Sequence, residues 1–268
     1  MSTSGSSTGT GPLYIGVSTK MYLGYQASLR WLSQVRSIVD ERPGLAADSP
    51  VRVFVIPSFP VLEPAARILA GSPVLLGAQN CAWGDGALTG EISPGMLAEL
   101  GVSLVEIGHA ERRRLFAEDD AVVARKVRAA VGHSLTPLLC IGEPDRLDAG
   151  AAADFCVGQV RAATGGDPAL LGRLVLAYEP VWAIGAQEPA PPHHVNAVLS
   201  QIRTALGPDC PLIYGGSAGP GLLPRLPAAD GLFLGRFAHD AANLGRVLDE
   251  ALLLRQTDAP ANSSSSRS

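Results

Sequence analysis

The fold of the chain is most clearly indicated by residues 174–206, which read LVLAYEPVWAIGAQEPAPPHHVNAVLSQIRTAL. This segment begins with an apolar run, Leu174–Tyr178, in which polar and apolar residues do not alternate. It ends in a stretch, 194–206, whose apolar residues recur every three or four positions. The first pattern is typical of a strand covered on both faces, and the second of an amphipathic helix. The segment therefore predicts one strand–loop–helix unit.

The same pattern recurs along the rest of the chain. Further helical spacing is found in residues 27–40 and 120–131. Eight strands are predicted: Leu13–Ser18, Val51–Ile56, Val74–Ala78, Ser103–Glu106, Thr136–Cys140, Leu174–Tyr178, Leu212–Tyr214 and Gly231–Leu234. Eight strands alternating with helices favour a closed α/β barrel of the (β/α)8 type, in a single domain, over a doubly wound open sheet. The first strand is not followed by G-x-G-x-x-G, which counts against a dinucleotide-binding fold.

Composition sets the domain boundaries and narrows the choice of partners. The chain has 268 residues, of which 47% are hydrophobic, and a formal net charge of −4. We predict a barrel domain over 12–255 between two disordered tails, 1–11 and 256–268, because the tails carry too little apolar surface to fold. The negative charge argues against nucleic acid as the main partner. No apolar run reaches the roughly 18 residues of a membrane span.

The cysteines and the N-terminus indicate a cytoplasmic protein without a metal site. The N-terminal residues contain neither a basic start nor an apolar stretch, so a secretory signal is not expected. The four cysteines lie far apart and form no pattern with zinc-binding spacing. We therefore expect buried thiols in a reducing compartment, and neither a metal nor another cofactor.

Chemically useful residues follow the predicted strands. Lys20 comes just after the first strand, His109 after the fourth and Glu179 after the sixth. Glycines and polar residues follow the seventh and eighth strands, in the segments 214–217 and 234–236. In a parallel barrel the active site is built at the carboxyl ends of the strands, so these residues should converge on one rim.

Six segments, in family order, resemble the triosephosphate isomerase family. They are Lys20-Met21, GALTGEISP (86–94), IGHAERR (107–113), CIGE (140–143), AYEPVWAIG (177–185) and YGGS (214–217). The resemblance spans about residues 13–254 and implies a TIM barrel. It also implies an enzyme of glycolysis and gluconeogenesis that isomerises D-glyceraldehyde 3-phosphate and dihydroxyacetone phosphate through an enediolate. A homodimer is expected as well, with the loop of Thr89 and Glu91 reaching into the partner subunit.

The resemblance also implies catalytic roles. Moving a carbonyl to the next carbon requires a base for the carbon-bound proton and a donor for the developing enediolate oxygens. Glu179 is expected to be the base, and a neutral His109, before a short helix near Ala110, the donor. Lys20 supplies positive charge near the oxyanion and pairs with Glu111.

Phosphate binding and site support are expected from the glycine-rich loops. The residues are Gly185, Ser217, Gly235 and Arg236 for the phosphate, with Ser18 at the carbonyl end of the substrate and Tyr214 in support. Glycine lets backbone N–H groups approach an anion closely. Residues 180–188 are expected to form a lid. His193 and His194 are predicted to lie on the surface, and His133 and His239 belong to no motif.

Four positions depart from the family pattern. They are Ser18 in place of asparagine, Ala110 in place of serine, Ala186-Gln187-Glu188 in the second lid hinge, and Arg236 in place of a second glycine. Serine frees space near the carbonyl end of the substrate, and Arg236 adds donors near the phosphate. The substrate is therefore either a triose phosphate or a tetrulose phosphate, with L-erythrulose 1-phosphate and D-erythrulose 4-phosphate as the isomer pair. A barrel that binds phosphosugars without catalysis is a third possibility.

Overall fold

A computed structural model of the chain describes residues 11–185 and 189–258. Eight parallel strands close into one barrel, in which each strand pairs with the next and the last pairs with the first. The strands are β1 (Leu13–Ser18), β2 (Val51–Ile56), β3 (Leu75–Ala78), β4 (Leu104–Ile107), β5 (Thr136–Ile141), β6 (Val175–Tyr178), β7 (Leu212–Gly216) and β8 (Gly231–Leu234). The single-domain (β/α)8 prediction is confirmed, and the open sheet is wrong.

Helices cover the outside of the barrel. The α-helices are α1 (Tyr25–Asp40), α2 (Leu62–Ile68), α3 (Pro94–Glu99), α4 (Ala110–Phe116), α5 (Asp120–Gly132), α6 (Ala149–Thr164), α7 (Pro168–Leu171), α8 (Pro192–Leu206) and α9 (Ala241–Asp258). Short 3₁₀ helices lie at Pro43–Leu45, Phe59–Val61, Val181–Ala183, Leu223–Arg225 and Arg236–His239. The three helical stretches predicted from apolar spacing begin and end within two residues of α1, α5 and α8.

The ends of the chain are described only in part. Helix α9 continues to Asp258, three residues beyond the predicted domain boundary at 255, so residues 256–258 are helical. The rest of the two predicted tails, residues 1–10 and 259–268, lies outside the described residues. The described helices include none that is long and apolar enough to cross a lipid bilayer. All four cysteines are buried and unpaired, as predicted.

Most of the barrel interior is apolar, and polar side chains enter it at the carboxyl ends of the strands. Its apolar part includes Phe54, Leu104 and Ala177. Because side chains two residues apart in a strand share a face, Glu106 follows Leu104 into the interior, and Glu179 follows Ala177. The fold thus places two carboxylates at the top of the core.

Closure of the barrel between β1 and β8 requires Gly231. This residue has a φ of +144°, and a Cβ atom there would lie 1.9 Å from the carbonyl oxygen of Tyr14. Replacing it with alanine must push the two strands apart. We expect Gly231→Ala to lower the free energy of unfolding by about 2–3 kcal/mol, measured by urea denaturation.

Gly158→Ala is the matched control for this prediction. Gly158 lies exposed in the interior of α6, where an added methyl group meets nothing within 4 Å. Alanine should therefore stabilise the protein by about 0.5–1 kcal/mol, because it favours the helix. Equal stability of the two variants would contradict the assigned role of Gly231.

Candidate active site

One cavity of about 1380 Å³ opens at the carboxyl ends of the strands. Nearly all the site residues predicted from the sequence line it: Ser18, Lys20, His109, Glu111, Glu179, Gly185, Ser217, Gly235 and Arg236. The exception is Tyr214, which is fully buried behind the cavity. Residues that are up to 218 positions apart in the chain therefore share one space.

Lys20 is held in a backbone conformation that non-glycine residues rarely adopt. Its φ is +46°, in the left-handed region. Two side chains fix this turn by donating to the Lys20 carbonyl oxygen, Ser58 Oγ at 2.7 Å and Gln79 Nε2 at 2.8 Å. Strain of this kind persists only where the surroundings enforce it, and it is common at functional sites. The turn directs the ammonium group into the cavity.

An ion pair joins Lys20 to Glu111. Lys20 Nζ lies 2.6 Å from Glu111 Oε1. Burial alone would lower the pKa of Lys20, but the hydrogen bond and charge of Glu111, with the charges of Glu179 and Glu106, raise it above its ordinary value. The pKa of Glu111 is lowered, because Lys20 outweighs the effect of burial. Lys20 is therefore a fixed positive charge.

The hydrogen bonds of His109 define its tautomer. The residue caps α4, and its Nδ1 accepts a hydrogen bond from the backbone N–H of Glu111 at 3.1 Å. An accepting Nδ1 carries no proton, so the proton of the neutral ring is on Nε2. Nε2 lies 3.5 Å from Glu179 Oε2, so the N–H donor and the carboxylate meet in the cavity.

Two glycines make room for Glu179. A Cβ atom on Gly215 would lie 2.5 Å from Glu179 Oε1, and one on Gly142 would lie 1.9 Å from the Glu179 carbonyl oxygen. The Glu179 side chain is only 9% exposed, and its Oε2 atom has no hydrogen-bond partner among the described residues. A buried carboxylate with a free acceptor atom can take up a proton from a bound molecule.

Hydrogen bonds to buried side chains hold the segment after Glu179 on both sides of residues 186–188. Glu143 Oε1 accepts hydrogen bonds from Trp182 Nε1 at 2.8 Å and from the Tyr178 hydroxyl at 3.1 Å. On the far side, the backbone N–H of Ala190 donates to the Tyr214 hydroxyl at 3.1 Å. The predicted second hinge of the lid, residues 186–188, lies outside the described residues.

The prediction for His194 is wrong. Helix α8 begins at Pro192 and directs His194 towards the segment that follows Glu179. The His194 side chain is only 14% exposed. Its ring contacts that of Trp182 edge-on, with centroids 5.9 Å apart. His193 is exposed, as expected.

Glu106 and His239 line the cavity, although neither was predicted as a site residue. Burial raises the pKa of Glu106 to about 7, although His109, Lys20 and Ser18 oppose the shift. His239 Nε2 lies 3.3 Å from the Ser18 carbonyl oxygen and donates to it. Burial, with the charges of Arg236 and Lys20, lowers the pKa of His239. Glu106 could have been found from the two-residue spacing after Leu104, whereas His239 left no signal.

The rim of the cavity after β6 and β8 carries two glycines, Gly185 and Gly235, and the cationic side chain of Arg236. Gly185 has a φ of +74°, and Gly235 precedes the short helix at Arg236–His239. The Arg236 guanidinium lies over the Tyr22 ring, 5.6 Å from its centroid, in a cation–π contact. Positive charge and close backbone approach at this rim suit an anionic group such as phosphate.

Comparison with known proteins agrees with this geometry. The family model for triosephosphate isomerase matches residues 13–251. The L-erythrulose-1-phosphate isomerase of Pectobacterium atrosepticum is 49% identical over 251 residues, which cover 90% of this chain and 96% of that protein. The triosephosphate isomerase of Roseiflexus castenholzii is 42% identical over 212 residues, which cover 74% and 83%. The L-erythrulose-1-phosphate isomerase of Rhizobium etli is 38% identical over 267 residues, which cover 95% and 98%. The chain belongs to the triosephosphate isomerase family and is a sugar-phosphate isomerase.

Proposed function

We propose that the protein interconverts L-erythrulose 1-phosphate and D-erythrulose 4-phosphate. The observation that carries this choice is the 49% identity to an L-erythrulose-1-phosphate isomerase over nearly the whole of both chains. The triosephosphate isomerase of Roseiflexus castenholzii matches less closely and over a shorter part of the chain. Ser18, which lines the cavity in place of the family's asparagine, leaves room for a larger substrate.

The reaction is a proton transfer between neighbouring carbons. Glu179 takes the proton from C3 of L-erythrulose 1-phosphate, and the electrons of the C–H bond form the C2–C3 double bond of an enediolate. Glu179 returns the proton to C2, while the C3 hydroxyl proton passes to the C2 oxygen, so that C3 becomes the carbonyl. His109 Nε2–H and the Lys20 ammonium stabilise the oxygens as charge develops on them.

The phosphate is proposed to lie at the rim after β6, β7 and β8. Backbone N–H groups of Gly185, Ser217 and Gly235 would donate to its oxygens, and Arg236 would add positive charge. All four residues line the same cavity as Glu179. Binding there fixes one end of the substrate and leaves its reacting carbons between Glu179 and His109.

Triosephosphate isomerase activity is the second candidate. The same base and donor would serve dihydroxyacetone phosphate, and the relative from Roseiflexus castenholzii favours this reading. The reaction would then belong to glycolysis and gluconeogenesis. Binding without catalysis is disfavoured, because Lys20, His109 and Glu179 all face one cavity.

A cytoplasmic homodimer is proposed by resemblance to the family. Exposed apolar side chains support the dimer, among them Met21, 89% exposed, and Met96, 62% exposed. Sedimentation equilibrium should give twice the chain mass, and a monomer at micromolar concentration would contradict this proposal.

A comparison of two substrates tests the proposed function. We expect kcat/KM for L-erythrulose 1-phosphate, followed by ³¹P NMR, to exceed that for dihydroxyacetone phosphate by roughly tenfold or more, since one carbon unit in a fitted pocket changes transition-state binding by about that much. His109→Gln, purified in parallel, controls for contaminating host isomerase. A preference for dihydroxyacetone phosphate would select the second candidate.

A further inference from the structure

Glu106 is a buried carboxyl group with few hydrogen-bonding partners. It is 4% exposed at the top of the barrel interior and lines the cavity. Within residues 11–185 and 189–258, its one hydrogen bond comes from the Ser18 hydroxyl, 3.1 Å from Oε2, and it forms no ion pair. Burying a charge or a polar group with so few partners is unfavourable. Stability alone therefore does not explain this residue.

Two other buried glutamates each have two donors, although Glu118 Oε2 has no partner among the described residues. Glu118 forms ion pairs with both Arg112 and Lys126. Glu143 accepts hydrogen bonds from Tyr178 and Trp182. By contrast, the unused hydrogen-bonding capacity of Glu106 faces the cavity. A buried carboxyl group that lines a binding cavity and has a single hydrogen-bond donor is a natural partner for a polar group of the ligand.

The position of Glu106 fits one particular end of the substrate. In an eight-stranded barrel β4 lies opposite β8, so Glu106 on β4 lies across the cavity from Gly235, which follows β8. A tetrulose phosphate with its phosphate at the β8 rim directs its other end towards β4. That end is the terminal C4 hydroxymethyl group, which a triose phosphate lacks.

We propose that Ser18 and Glu106 bind the terminal hydroxymethyl group of a four-carbon substrate, with the Glu106 carboxyl hydrogen-bonded to the C4 hydroxyl. The inference rests on the proposed function and names the residues that make it specific. Because burial raises the pKa of Glu106 to about 7, both protonation states are populated at neutral pH. A hydroxyl group can donate to the charged form or accept from the neutral one, so the contact survives in both.

Three substrates and two variants test this inference. The substrates are L-erythrulose 1-phosphate, its 4-deoxy analogue and dihydroxyacetone phosphate. Glu106→Leu removes the hydrogen-bonding atoms at similar volume, and we expect it to lower kcat/KM for L-erythrulose 1-phosphate roughly 10- to 100-fold, mainly through KM. The loss should be less than about threefold for the 4-deoxy analogue, which lacks the hydroxyl. The matched control Glu106→Gln keeps a hydrogen-bonding group and should lose less.

The outcomes separate the inference from the proposed function. An equal loss on all three substrates, or no loss, would overturn the role of Glu106 while leaving the tetrulose activity of the wild-type protein in place. A wild-type protein that turns over dihydroxyacetone phosphate but not L-erythrulose 1-phosphate would overturn the proposed function, and the inference with it.

Ser18→Asn keeps the test decisive if Glu106→Leu does not fold. The larger side chain fills the space beside Glu106, so the preference for the four-carbon substrate over dihydroxyacetone phosphate should fall roughly tenfold. An unchanged preference in a folded Ser18→Asn protein would contradict the inference.

Discussion

Glu179→Gln is expected to lower kcat by roughly 10³-fold or more. The amide fits the space beside Gly215 but cannot accept the carbon-bound proton, so the loss should fall on kcat rather than on KM. Glu179→Asp keeps the carboxylate but withdraws it from the substrate, and should lose about 10²-fold. Both are measured by ³¹P NMR with L-erythrulose 1-phosphate.

Thermal unfolding of the Glu179 variants controls for structural damage. Unfolding temperatures close to that of the wild-type protein would confirm that the space left by Gly215 accommodates the new side chains. Near-normal turnover in Glu179→Gln would show that another group removes the proton.

His109→Gln is expected to lower kcat by roughly 10²- to 10³-fold, because it removes a positioned donor to the enediolate oxygens. Initial rates at saturating substrate are the measurement. His193→Gln is the matched control, since His193 lies exposed on α8, which begins at Pro192, and should keep wild-type turnover. Equal rates in the two variants would refute the role of His109.

The fold could be predicted almost completely from local patterns. Every predicted strand overlaps an observed one, and the boundaries differ by at most two residues. Strands buried on both faces leave continuous apolar runs, and helices packed on one side leave a three-to-four spacing, so each unit carries its own signal. Closure of the barrel followed from the number of units rather than from any single residue.

The cavity was harder to predict, because its residues are brought together by the barrel and not by the chain. Lys20, His109 and Glu179 were found because each follows a predicted strand and lies in a family motif. Glu106 was assigned to the end of a buried strand. Its two-residue spacing from Leu104 indicates that the two share a face, and the register of β4 shows that this face is the barrel interior. His239 reaches the cavity from the loop after β8, 221 positions from Ser18, and no local pattern marks it.

The backbone conformation of Lys20 and the orientation of His194 also could not be predicted from the sequence. The left-handed turn at Lys20 depends on Ser58 and Gln79, which come from other loops. His194 was assigned to the surface because the prolines before it indicated the start of a helix. They do not indicate which face of that helix packs against the barrel. Such features depend on tertiary contacts, which propensity and periodicity do not report.

Transfer of solvent deuterium tests most directly the claim that Lys20, His109 and Glu179 form one proton-transfer site. Wild-type protein and Glu179→Gln would be incubated with L-erythrulose 1-phosphate in deuterated water, and the products analysed by ¹H and ¹³C NMR. The carboxyl proton of Glu179 exchanges with solvent while the enediolate is bound, so the account predicts deuterium on C3 of D-erythrulose 4-phosphate, the former C2 of the substrate. The rate should be at least 10²-fold lower in the variant. Product free of deuterium, or equal incorporation by both proteins, would contradict the account.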